Sequence, residues 1–154
     1  RMSYSELFGP DTVLLNLDQA DASDVLSTLA AAIVKMDPAL KGHEDDLQAA
    51  LLEREGRGST GSQGVGIPHV KMPQTNKVTA IIGVHPEGID FNALDGERVH
   101  VFFSVVRPEQ GAEEHLGLLR WIAGIAQHED FVSFARQAEK VEQILDILSE
   151  LSAA

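Results

Sequence analysis

The chain has 154 residues, 44% apolar and 23% charged, enough for one domain with a core of its own, and no cysteine, which excludes disulfides, thiolate nucleophiles and Cys-ligated zinc. Twelve Lys and Arg against 24 Asp and Glu leave a net charge of -12, and so acidic a surface argues against nucleic acid as a partner. No apolar stretch approaches the ~20 residues that cross a bilayer, and no basic segment leads into an apolar one near the start, so residues 1–154 read as a single cytoplasmic domain without direct membrane insertion.

Arg1 ahead of Met2 reads as foreign to the natural start, and Ser3 to Phe8 as a short capped helical turn. Thr12 to Leu17, bounded by Pro10 and Asp18, reads as a buried strand or short extended segment. Asp21 to Met36 carries Val25, Leu26, Leu29, Ile33 and Met36 at helical spacing, with Asp21 or Ser23 as N-cap and Asp37-Pro38 as its stop. Glu44 to Glu55 predicts a second helix burying Leu47, Ala50 and Leu51, ended by Gly56 and Gly58. Gly58 to Pro73 reads as a glycine-rich loop around one apolar segment, Val65 to Ile67. Val78 to His85 and Val99 to Val106 predict strands, separated by turns at Pro86-Glu87-Gly88 and Asp95-Gly96 around a brief extended piece, Ile89 to Phe91. From Ala112 the pattern is helical, with Leu116, Leu119, Ala123 and Ala126 as a stripe widened by Leu118, Ile122 and Ile125. Two further helices, Asp130 to Ala138 and Val141 to Leu151, close the chain, and Trp121 and Phe131 are expected in the core. The fold class is α/β, a core sheet covered by helices.

The most unusual local sequence is Gly64-Val65-Gly66-Ile67-Pro68-His69. Pro68 fixes its own φ and holds Ile67 extended, so His69 follows a stiffened segment. Strand alternation puts His69 on the side of Val65 and Ile67, and exposing it then calls for a bend at Pro68. A neutral imidazole near pH 7 suits a nucleophile that takes up and hands on a phosphoryl group. His115 opens the helix that begins near Ala112. There the amide dipoles disfavour imidazolium while Glu113 and Glu114 favour it, and either can win. On spacing alone, a surface or hydrogen-bonded histidine fits both positions as well. Phosphoryl transfer needs cations and hydroxyls nearby: Arg54, Arg57 and Lys71 bracket the loop, Ser59, Thr60 and Ser62 lie in it, and Arg54 can grip two phosphate oxygens. Gly56-Arg57-Gly58-Ser59-Thr60-Gly61 matches G-x-G-x-x-G but follows a helix, so it is no dinucleotide site. His43, His85, His100 and His128 read as structural or solvated, and no close histidine pair suggests a metal.

The loop ending in Ile67-Pro68-His69, the run Glu87-Gly88-Ile89-Asp90-Phe91-Asn92-Ala93-Leu94-Asp95-Gly96, the strand ending at Pro108, and Glu114-His115-Leu116 together resemble the enzyme IIA domains of the bacterial phosphotransferase system, fructose/mannitol and nitrogen-regulatory (PtsN-like) type. The resemblance runs from about residue 10 to residue 151. It implies the mannitol-type enzyme IIA fold, a mixed β-sheet flanked by helices on both faces. It implies a phosphocarrier in which His69 accepts phosphate from phospho-HPr and passes it to an enzyme IIB, with His115 steadying the phosphate and no metal or other cofactor. Arg54, Ser59, Thr60 and the loop amide at Gly64 become phosphate-binding candidates. The segment Gly61-Ser62-Gln63-Gly64 is one residue shorter than the family's pattern, which leaves the hydroxyl open between Ser59 and Thr60, and Gly66 stands where alanine is common.

Two other classes of function remain at this point. In a nitrogen-regulatory module the phosphorylation state of His69 controls protein partners instead of sugar uptake. In a small hydrolase Ser59 or Ser62 works with His69.

Overall fold

The computed structural model describes residues 3–153, so Arg1 and Met2 lie outside it. A short 3-10 turn, Tyr4–Leu7, precedes β1 (Val13–Leu14). Helix α1 (Ala22–Met36) starts where Asp21 accepts the Asp24 N–H at 2.9 Å, and it stops at Asp37-Pro38. Helix α2 (Glu44–Gly56) carries three acids in its first turn and Arg54 in its last, both favourable to the helix dipole. Then follow β2 (Val65–Gly66), β3 (His69–Lys71), β4 (Thr79–Ile89), β5 (Val99–Arg107), α3 (Ala112–Ala126), α4 (Phe131–Gln137) and α5 (Val141–Ala153). Among these helices none is long and apolar enough to cross a membrane.

The five strands form one mixed sheet. Its order is β1-β4-β5-β2, with β3 continuing along the same edge of β5; β4 and β5 are antiparallel and the other pairs parallel. Alternation along β5 divides the core. Val101, Phe103 and Val105 face α3, α4 and α5 with Leu118, Ile122, Phe131 and Ile144, whereas Phe102 and Val106 face α1 and α2 with Leu26, Leu29, Leu47 and Leu51. Helices on both faces and a mixed sheet are what the resemblance implies.

Four local expectations change. Pro86-Glu87-Gly88 is no strand-ending turn but part of β4: four residues, His85 to Gly88, stand opposite His100 alone between the pairs Val84–Val101 and Ile89–Val99. The bulge is held from outside, with Arg98 donating to the Gly88 carbonyl at 2.7 Å and Arg136 to that of Pro86 at 2.8 Å. The loop from Gly58 to Pro73 contains two short strands, β2 and β3. The buried stripe of α3 is His115, Leu118, Ile122 and Ile125, while Leu116 is 47% exposed. Phe131 is core, but Trp121 is half-buried and stacks on Phe8 with ring centroids 5.9 Å apart.

Candidate active site

His69 reaches its position without a bend. Val65 pairs with Val101 and His69 with Val105, so one register runs through Pro68 and both side chains share the face toward α3. The ring opens onto a cleft shared with His115 in the first turn of α3 and with Lys71 and Arg107, the next pair along that face. Its Nδ1 lies 2.6 Å from the Ile67 carbonyl oxygen. A carbonyl only accepts, so Nδ1 carries the proton and Nε2 holds the free lone pair. Burial lowers the pKa of His69 most; the Ile67 bond raises it, and the charges of Arg54 and Arg107 lower it.

His115 lies in the first turn of α3, after Gly111, whose φ of 89° starts the helix. Its ring centroid is 5.4 Å from that of His69. It is buried, with Nδ1 lacking a partner, and its pKa falls to about 4, mainly through burial and then through the charges of His69 and Arg107. The contest expected between helix dipole and acids is therefore decided by desolvation. Glu113 and Glu114 line a different groove, beside Tyr4 and Leu7.

Both rings line a cleft of about 400 Å³ with Arg54, Arg57, Lys71 and Arg107. Four of the chain's 12 Lys and Arg thus gather around His69, with Glu53 the one acid in the wall. The groove beside Tyr4 is larger, about 520 Å³, but its only charged lining residues are carboxylates, so an anion fits the smaller cleft. The sheet edge is what assembles the cleft: α2 brings Arg54 and Arg57 from one face, α3 brings His115 from the other, and β3 and β5 end between them.

Three predicted phosphate-binding residues do not line it. Ser59 donates to the Phe91 carbonyl at 2.7 Å and accepts the Gly61 N–H at 3.0 Å. Thr60 donates to Glu55 at 2.7 Å and accepts the Ile67 N–H at 3.0 Å. Gly64, at φ 81°, lies at the other end of β5, where its carbonyl accepts from His100 and Val101. Neither Ser59 nor Ser62 hydrogen-bonds His69, so the nucleophile-base contact of a serine hydrolase is missing. Among the described residues no group of three His, Asp or Glu is placed to hold a metal ion. Arg107 and Glu55 were not foreseen. Arg107 ends an apolar run, which was its one visible signal, and its pairing with Lys71 brings it to the cleft.

The sequence profile of the family described as phosphoenolpyruvate-dependent sugar phosphotransferase system, EIIA 2, matches residues 6–151. A fructose-specific EIIA component from Haloferax volcanii is 38% identical over 114 residues, 71% of this chain and 74% of that one. A nitrogen regulatory protein from Bradyrhizobium diazoefficiens is 28% identical over 149 residues, 96% of this chain and 95% of that one. The crystal structure of nitrogen regulatory protein IIA-Ntr from Neisseria meningitidis superposes with a TM-score of 0.84 over 94% of this chain and 97% of that one, at 24% identity.

Proposed function

The chain belongs to the EIIA 2 family of the phosphoenolpyruvate-dependent sugar phosphotransferase system, and from that membership we propose that it is a cytoplasmic histidine phosphocarrier, taking a phosphoryl group from phospho-HPr onto His69 and passing it to an enzyme IIB. One observation carries the reading: an imidazole with Nε2 free stands in the chain's cationic cleft. In the transfer the Nε2 lone pair attacks phosphorus in line, the donor's P–N bond breaks, and its electron pair returns to the donor ring. As positive charge develops on the His69 ring, the bond from Nδ1–H to the Ile67 carbonyl strengthens. Arg54 and Arg107 balance the phosphoryl oxygens, while His115, neutral at pH 7, offers an N–H without adding charge. The return step onto an enzyme IIB runs the same chemistry outward.

Incubation with phosphoenolpyruvate, enzyme I and HPr gives an acid-labile phosphate adduct on the wild-type protein and none on His69→Ala. An adduct that persists in the variant overturns the assignment.

A second reading, control of protein partners by phosphorylation, is favoured by the nitrogen regulatory relative that covers nearly the whole chain. A phosphoryl group adds roughly two negative charges. Four cations against one acid in the cleft wall would lose most of their excess. Affinity capture with His69→Asp and His69→Ala returns different partner sets if this reading holds, and identical sets if it does not.

A further inference from the structure

Strands β2 and β3 are bonded to β5 on one side and, among the described residues, to no strand on the other. The carbonyls of Gly64 and Pro68 face β5 and accept from Val101 and Val105. Ile67, of opposite parity, turns its own N–H and C=O off the open edge, where a strand has orphan groups to satisfy. Both are taken by side chains. The N–H donates to Thr60 Oγ1 at 3.0 Å, and the C=O accepts from His69 Nδ1 at 2.6 Å.

Thr60 is itself tied. Its hydroxyl donates to Glu55 Oε2 at 2.7 Å and its N–H to Glu55 Oε1 at 2.9 Å. The directions are forced. An amide only donates and a carboxylate only accepts, so a hydroxyl that receives the Ile67 proton sends its own to Glu55. The chain of bonds therefore ends on a charged group, the condition under which such bonds are strongest and polarise one another. Pro68 removes the remaining freedom by fixing φ between Ile67 and the ring.

We propose that Glu55 and Thr60 are positioning residues for His69: by locking Ile67 on the sheet edge they fix the ring's tautomer and aim, so that Nε2 is the nitrogen offered to phosphorus. Thr60 then works behind the histidine instead of on the phosphate. The inference rests on the phosphocarrier reading for its purpose, but not for its geometry, and the two are tested apart.

Long-range proton–nitrogen correlation spectra of the imidazoles read the tautomer directly, with His69→Gln identifying the signal. Wild type above pH 7 gives a single tautomer with the proton on Nδ1; a proton on Nε2 overturns the proposal with no variant needed. Glu55→Gln and Thr60→Val give a mixture of tautomers, and Thr60→Ser, which keeps the hydroxyl, restores the single form. Each variant is judged on a backbone amide spectrum like that of wild type, and if one fails to fold the other decides. A pure Nδ1–H signal in a folded Glu55→Gln or Thr60→Val overturns the relay. In the phosphorylation assay the same two variants slow transfer ~10-fold with KM for phospho-HPr unchanged, since a mis-aimed nucleophile loses rate and not binding. If wild type takes up no phosphate, the phosphocarrier reading fails while the tautomer result stands.

Discussion

Burial sets the behaviour of the two site histidines, and their acid-base signs can be tested. Both pKa values lie below the ordinary imidazole range, that of His115 at about 4. In the proposed transfer the attacking form of His69 is neutral, so the rate of phosphoryl uptake is expected to rise with pH through a midpoint below ~6.5 and to be flat above it; a stopped-flow or quench series over pH 4.5–8 measures this. Stability follows the same sign. Between ~6.5 and about 4 the unfolded chain binds protons that the folded His115 refuses, so stability is full above that window and falls as pH drops through it. Urea titrations show this slope in wild type and a shallower one in His115→Gln. His69, Arg54, Arg57 and Lys71 were legible because they lie within 18 residues of one another around a single loop. Arg107 was not, because only strand pairing carries it there. Thr60 looked like a phosphate ligand since sequence does not reveal that Glu55, five residues earlier, has already claimed its hydroxyl.

Helices were more legible than strands. The 3.6 period, Asp21 as cap and Asp37-Pro38 as stop locate α1 within a residue, because each signal is local. The bulge in β4 was hidden because Pro86 and Gly88 are ordinary turn residues, and what makes them a bulge is Arg98 and Arg136 reaching in from other elements. Gly88 sits at φ 77°, and a Cβ there would stand 2.5 Å from the His100 ring. Gly88→Ala therefore costs ~2 kcal/mol or more in denaturant unfolding, from backbone strain and ring displacement together. The inward stripe of α3 gives a second measure. Leu118 is buried among the strands, so Leu118→Ala costs ~2–5 kcal/mol, whereas Leu116→Ala, half exposed, costs under ~1 kcal/mol. Equal losses at the two positions would restore the stripe that periodicity alone suggested.

Across the whole molecule, charge is distributed against the average. A net charge of -12 coexists with a cleft whose wall carries four cations. Among the described residues the Arg107 side chain bonds only the carbonyls of Pro108 and Glu109, so Arg107→Gln leaves unfolding nearly unchanged. It slows phosphoryl uptake ~10–100-fold, the value of a charge-assisted bond to a phosphoryl oxygen; an unaltered rate would remove Arg107 from the site. The α/β class was readable from the alternation of patterns, but the meeting of two helical layers at one sheet edge was not, since no local signal encodes which edge stays open. The unbroken register from Val65 to His69 has an evolutionary corollary. Insertions and deletions between those two residues are tolerable only in pairs, because a single one would swing the imidazole through the sheet to the α1 side. Upstream of Gly64 that parity does not operate, so a change of length between Gly61 and Gln63 leaves the imidazole on its own face of the sheet.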